Sequence, residues 1–377
     1  MRQRVVVALS GGVDSSVAAA LLKRAGGDEL RSSSRFAKAR VFDVIGVFMK
    51  FWSEPNKDGI IESRNRCCSS EAEIRARKVA KILKIPFYVL KLEKEFKKRI
   101  VDYFLKKHRV GRTPNPCVIC NKKIKFGLLL EKALKLEADF VATGHYARKS
   151  ELTTNDLQPI TYKLLRAKDK EKDQSYFLWQ LNQKQLKRIL FPIGNYTRKE
   201  VEKLAQKLKL PTVGAPKSQE ICFVKTTINN FLKKYLKEKP GRIVDIQGKI
   251  IGGHRGLWFY TIGQRKGINI PGGPYWVLDK DLRKNLLIVT KNEKDLYKKE
   301  LICKDINWIS GKESKLPLKI KAKIRYRHQL TSAIITKTLE PKIYTLKFKK
   351  SQRAVTPGQS VVFYKGRELL GGGIIIK

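Results

Sequence analysis

Two cysteines three residues apart are the part of this chain best equipped for chemistry. Residues 112–127 read RTPNPCVICNKKIKFG and place Cys117 and Cys120 in a C-x-x-C spacing. That spacing can hold zinc, exchange a disulfide or supply a nucleophilic thiolate. A zinc site needs two more ligands, usually a second close pair. The other pair here, Cys67-Cys68, is adjacent, which suits one tetrahedral ion poorly, and His108 and His145 form no short-spaced pair. No metal site is expected on that ground. A thioredoxin-type pair opens a helix, and the Pro-Asn-Pro run ahead of Cys117 argues against a helix start there. A nucleophile that works with a second thiol needs that thiol elsewhere. Cys222, in SQEICFV, and Cys303, in ELICKDI, have apolar neighbours and read from the residues alone as core. Lys122, Lys123 and Lys125 follow the pair; they would favour a thiolate nearby or form a solvated face.

A second candidate lies near the start. Residues 10–16 are Ser-Gly-Gly-Val-Asp-Ser-Ser, directly after the apolar run RVVVAL. Glycines let a backbone approach phosphate closely, a following helix start offers unpaired N–H groups, and serine hydroxyls add donors. The run is neither a Walker A loop nor G-x-G-x-x-G. A tight capped turn is the plainer alternative.

The elements around these residues alternate. RVVVAL (4–9), VIGVFM (44–49), PFYVLKL (86–92) and FVAT (140–143) read as strands. Residues 15–27, 71–83 and about 94–108 read as helices. This rhythm predicts an α/β doubly wound parallel sheet, with ligands bound beyond the carboxyl ends of the strands. Met49, Gly144 and His145 stand at two such ends. Beyond about residue 225 the pattern changes. A short helix (228–239) ends at Pro240-Gly241, and short strands with Gly, Pro, Asn and Asp turns follow, as in a small β-barrel. The expected division is 1–225, a linking module at 226–293, and a barrel at 294–377.

The charge is far from balanced: 81 Lys and Arg against 34 Asp and Glu give +47, which favours a polyanionic partner, nucleic acid first. In LKIKAKIRYRHQ (318–329) strict alternation would put Ile320, Ala322, Ile324 and Tyr326 on one face. Lys319, Lys321, Lys323, Arg325 and Arg327 would then line the other, spaced like a phosphate backbone. No run has the length of a signal core or a membrane span, so a cytoplasmic location without membrane attachment is expected.

SGGVDSS resembles the pyrophosphatase loop of the PP-loop ATP-pyrophosphatases, whose domain is adenine nucleotide alpha-hydrolase-like. GRTPNPCVICNKKIKFG, ATGHYAR, KDQSYFLWQL, SQEICFV, TIGQRKG, RYRHQ and TPGQSVVFY occur in that order. Together they are similar to the bacterial and organellar tRNA-specific 2-thiouridylases, from Val5 nearly to the end. The resemblance implies ATP with Mg2+ as cofactor, held by Ala8, Leu9, Ser10, Gly11, Gly12, Val13, Asp14, Ser15, Met49 and Gly144. It implies catalysis by Cys120 and by Cys222 as persulfide carrier. Asn115, Pro116, Cys117, His145, Lys172, Asp173, Gln174, Arg325, Tyr326 and Gln359 would contact the tRNA anticodon stem-loop. A sulfur-relay protein or cysteine desulfurase would donate the persulfide. Cys117 stands where some relatives carry Asp, and the Ser/Arg-rich stretch at 28–40 looks like an insertion. The rival readings are a small-molecule adenylating synthetase and a zinc-stabilised RNA-binding protein.

Overall fold

The computed structural model describes residues 2–24, 42–54, 69–152, 160–215 and 221–377. Cys67-Cys68, the stretch at 28–40 and the expected glycine stop after the first helix fall outside them. The first strand, β1 (Gln3–Ala8), is a run of valines that cannot be solvated on either face and is buried at Val5, Val6 and Val7. Helix α1 (Val13–Arg24) follows, then β2 (Phe42–Lys50), α2 (Ser70–Leu83) and β3 (Phe87–Lys91). Ser69 caps α2 by accepting the Ala72 N–H at 3.2 Å, and Ala72, Ala76, Val79 and Ala80 form its buried stripe.

The next helix runs in three stretches, α3 (Glu93–Phe96), a wider π-type stretch at Lys97–Val101, and α4 (Asp102–Arg109). A second three-part helix comprises α5 (Pro116–Cys120), a π-type stretch at Asn121–Leu128, and α6 (Leu129–Lys135). The strands β4 (Phe140–Ala142), β5 (Ala147–Leu152) and β6 (Thr161–Arg166) lead to α7 (Gln183–Lys187), β7 (Ile189–Leu190) and α8 (Arg198–Lys207). All pairings in the sheet β3-β2-β1-β4-β7 are parallel. Strand order reverses beside β1, so the loops after β1 and β4 share one crevice.

After α9 (Ile228–Tyr235) come β8 (Gly241–Val244), β9 (Ile250–His254), β10 (Trp276–Asp281) and β11 (Leu286–Thr290). They form the sheet β10-β11-β8-β9. The last six strands are β12 (Tyr297–Trp308), β13 (Leu318–Lys323), β14 (Thr331–Lys337), β15 (Ile343–Arg353), β16 (Ser360–Lys365) and β17 (Glu368–Ile375). They follow the order β12-β15-β14-β13-β16-β17, and β12 pairs back onto β17, closing a barrel and removing its edges. Cys303 is fully buried in the barrel core, where burial pushes its thiol up to about 12. Among the described residues no helix is long and apolar enough to cross a membrane.

Two features depart from the sequence reading. The hairpin β5–β6, which the sequence reading omitted, leaves the α/β unit and adds to the barrel sheet through Leu164↔Leu369 and Leu165↔Glu368. The basic strand stops at Lys323, because its pairing with β16 ends at Lys323↔Val362 and the chain then turns. Ile320, Ala322 and Ile324 point inward as expected. Lys323 does not join a solvated row. It is half-buried near Asp173 and Arg166, and burial lowers its pKa.

The α/β unit meets the central module at His108 of α4. The ring packs 4.5 Å from Phe104, its Nδ1 lies 3.4 Å from the Trp258 carbonyl, and its Nε2 is buried without a hydrogen-bond partner. Burial, with Lys280 nearby, holds its pKa down at about 4 against an ordinary 6.5. The unfolded chain therefore binds a proton that the folded one refuses, and stability falls as pH drops from about 6.5 toward 4. Urea unfolding followed across that range should lose up to ~3 kcal/mol from this group. His108→Phe should flatten the acid limb by a comparable amount; an unchanged slope would show that His108 is not the cause.

Candidate active site

The loop after β1 is built for close approach. Gly11 has φ +71°, and a Cβ there would lie 2.1 Å from the Ala72 carbonyl oxygen of α2, so glycine is required. Gly12 faces open space, where a Cβ would meet nothing closer than Ser10 Oγ at 3.6 Å. The first turn of α1 lies directly beyond, with N–H groups that a helix start leaves unpaired. The Ser15 and Ser16 hydroxyls do not add donors toward that space. Both donate to the Gly12 carbonyl, at 3.0 and 2.9 Å, and Ser15 Oγ also accepts the Ser10 N–H at 3.1 Å. They shape the loop, and Ser10 is the exposed serine. Ala8 and Leu9 are buried, and the Leu9 N–H donates to the Val47 carbonyl at 2.8 Å, so both serve the sheet behind the loop.

Gly144, after β4, presses on the same loop: a Cβ there would lie 2.6 Å from both Asp14 C and Ser15 N. Its neighbour Tyr146 donates its hydroxyl to Asp14 Oδ1 at 2.8 Å, and Arg198 of α8 pairs with the same oxygen at 2.5 Å. Met49, the penultimate residue of β2, stands two residues before Phe51, which stacks on Phe96 at 4.7 Å. The loop thus offers glycine space and a helix start, features that suit a phosphate group.

The cysteine segments converge on the three-part helix at 93–109. α5 packs against its Lys97–Val101 stretch and carries Cys120, buried in the core of the α/β unit. Cys222, half-buried, packs against that same core. Its neighbour Phe223 is locked edge-on against Phe96, Phe104 and Phe231 at 5.4–5.9 Å. Contrary to the sequence reading, a helix does start at the C-x-x-C. Asn115 is its N-cap, accepting the Val118 N–H at 3.4 Å, and Pro116 fills the first turn, where its missing N–H costs nothing. Cys117 therefore sits in the first turn of α5.

The remaining predicted contacts gather at the seam between α/β unit and barrel. The chain at Thr113–Pro114 is clamped by Gln359, whose Nε2 donates to the Thr113 carbonyl at 2.9 Å. Gly358, at φ +96°, packs against Arg112 and Thr113. The Tyr176 hydroxyl donates to the Ser360 carbonyl at 2.9 Å, and Tyr326 lies 4.4 Å from Phe177 and 6.0 Å from Tyr176. Arg325 reaches the Arg353 carbonyl beside them. Asp173 is buried, taking Arg166 Nε at 2.8 Å and the N–H groups of Ala167 and Ser175. Gln174 binds the Tyr146 backbone in both directions, at 2.8 and 2.9 Å. Lys172 is half-buried at the rim of that loop. His145 is enclosed by Phe126 and Phe191, bonded to Thr143 Oγ1 at 2.8 Å, and burial with Lys125 keeps it neutral, well below its usual range. Its ring faces the interior, so an RNA contact there would have to use the backbone.

Comparison with known proteins decides the relationship. Residues 3–226 match the tRNA methyl transferase HUP domain, 229–291 the tRNA methyl transferase PRC-barrel domain, and 298–375 the aminomethyltransferase beta-barrel domain. The chain is 45% identical over 379 residues to tRNA-specific 2-thiouridylase MnmA 2 of Thermoanaerobacter sp. (strain X514), covering 100% of this chain and 98% of the relative. It is 43% identical over 381 residues to tRNA-specific 2-thiouridylase MnmA of Clostridioides difficile (strain 630), covering 100% and 99%. The chain belongs to the tRNA-specific 2-thiouridylase family.

Within this family member, Tyr146 and Arg198 are the partners of Asp14 that sequence reading missed; they stand behind the glycine loop. Thr197-x-x-Glu200 is a capping-box signature that does announce α8, and the box forms as written. Nothing local says that Arg198 will meet Asp14, 184 residues away in the chain.

Proposed function

We propose that the protein uses ATP and a protein-bound persulfide to convert the wobble uridine of a tRNA anticodon to 2-thiouridine. The observation that carries this reading is the packing of the Cys120 and Cys222 segments on one helix, in the unit that holds the glycine loop. The open face at Gly12 and the start of α1 would take the triphosphate, with Mg2+ accompanying it. Tyr326, Phe177 and Asn115 offer the stacking and polar edges that an unstacked base needs, and the +47 charge suits the RNA backbone.

In this reading the uridine O2 displaces pyrophosphate from the α-phosphate, turning O2 into part of an AMP leaving group. The terminal sulfur of a Cys222 persulfide then adds to C2, and AMP departs. The Cys120 thiolate attacks Cys222 Sγ, leaving sulfur on C2 and a Cys120–Cys222 disulfide, which a thiol reductant reopens. A sulfur-relay protein or cysteine desulfurase would reload Cys222, and a cytoplasmic setting would suit the reading. The test is incubation with unmodified tRNA, ATP, Mg2+ and a persulfide source, followed by nucleoside mass analysis. One 2-thiouridine per anticodon, dependent on both ATP and persulfide, is expected. Unmodified uridine under all conditions would overturn the reading.

A further inference from the structure

The turn that holds Lys172, Asp173 and Gln174 is tied at both ends to the two partners of Asp14. At its start, Asp169 Oδ1 accepts the N–H groups of Glu171 and Lys172 at 3.0 and 3.1 Å, while Oδ2 accepts the Arg198 N–H at 2.9 Å. The same Arg198 sends its guanidinium to Asp14 and, through Nε, to Glu202 at 2.8 Å. At the far end, Gln174 clamps the backbone of Tyr146, and the Tyr146 hydroxyl donates to Asp14. Two short routes, Asp169–Arg198–Asp14 and Gln174–Tyr146–Asp14, thus join this turn to the glycine loop. Gly144, one residue before His145, fixes the third side of that loop against Asp14 and Ser15.

We infer that Tyr146 and Arg198 are positioning residues that couple occupancy of the 169–174 turn by tRNA to the conformation of the glycine loop, so that each ligand tightens the other. The inference rests on the proposed reading, in which tRNA sits on that turn and ATP on the loop. Asp14 is about a third exposed, so its setting depends on these two partners more than on burial. A shift of the turn changes the pull of Arg198 and Tyr146 on Asp14, and Asp14 lies in the first turn of the helix that would face the phosphates. Such coupling is reciprocal by thermodynamic necessity.

The test is calorimetric titration of a non-hydrolysable ATP analogue into the full-length protein, with and without unmodified tRNA. Wild type should bind the analogue at least ~5-fold more tightly when tRNA is present, and tRNA should show the same factor in reverse. In Tyr146→Phe combined with Arg198→Gln that factor should fall to about one, with each ligand's affinity alone within about 3-fold of wild type. Tyr146→Phe alone, which removes a single hydroxyl, should lose part of the coupling, and Arg198→Lys, which keeps a cation for Asp14, should retain most of it. Full coupling in the double variant overturns the inference, as does absence of coupling in wild type when both ligands bind. Failure of either ligand to bind wild type at all would instead sink the underlying reading, and the inference with it.

Discussion

Cys222→Ser is expected to abolish tRNA thiolation, by at least ~1,000-fold, while ATP-dependent activation of the uridine persists within a few-fold. The substitution exchanges one sulfur for oxygen at a half-buried position whose neighbour Phe223 is wedged among Phe96, Phe104 and Phe231, so the segment keeps its place. A hydroxyl cannot carry a persulfide, and the activated tRNA should accumulate with released pyrophosphate in stoichiometric amount. The measurement is pyrophosphate release in one rapid turnover beside nucleoside analysis of the same sample. If pyrophosphate release is lost together with thiolation, the division of labour between glycine loop and Cys222 is wrong.

The second large effect concerns stability. Asp173→Ala should destabilise the protein by roughly 3–5 kcal/mol, since it removes one half of a largely buried ion pair. The Asp173 carboxylate is almost entirely out of water, Arg166 is mostly so, and two backbone N–H groups lose their acceptor in the same change. Asp173→Asn keeps an acceptor oxygen and should cost less, about 1–3 kcal/mol. Urea unfolding midpoints at constant m-value give the comparison. A shift below ~1 kcal/mol for the alanine variant would mean that Arg166 finds other compensation. The result also separates roles, because a residue spent on folding its own turn would lower tRNA affinity only by loosening Lys172 and Gln174.

Much of this was readable in the chain. Valine runs buried on both faces gave away the parallel sheet, and a glycine-serine loop between β1 and α1 announced a phosphate-sized gap. Local patterns failed where the outcome depended on distant partners. Alternation in 318–329 implied a long two-faced strand, yet β13 ends where β16 stops pairing with it. The Pro-Asn-Pro run was read as hostile to a helix, whereas the second proline sits in a first turn that needs no N–H from it. Hydroxyls in the glycine loop looked like ligand donors, and the fold turned two of them onto a carbonyl. His145, placed at a strand end, suggested a site role, and nothing local foretold that Phe126 and Phe191 would close over its ring.

The attachment of β6 to β17 has a consequence for how the molecule comes into being. Thr161–Arg166 leaves the ribosome some two hundred residues before Glu368–Ile375, its neighbour in the finished sheet. Until then the outer edge of β6 lacks its two partners at Leu164 and Leu165, and the barrel lacks the strand that closes it. The hairpin therefore gains its bonds to Glu368 and Leu369 only after β17 has been made, so its place in the finished sheet is settled late in synthesis.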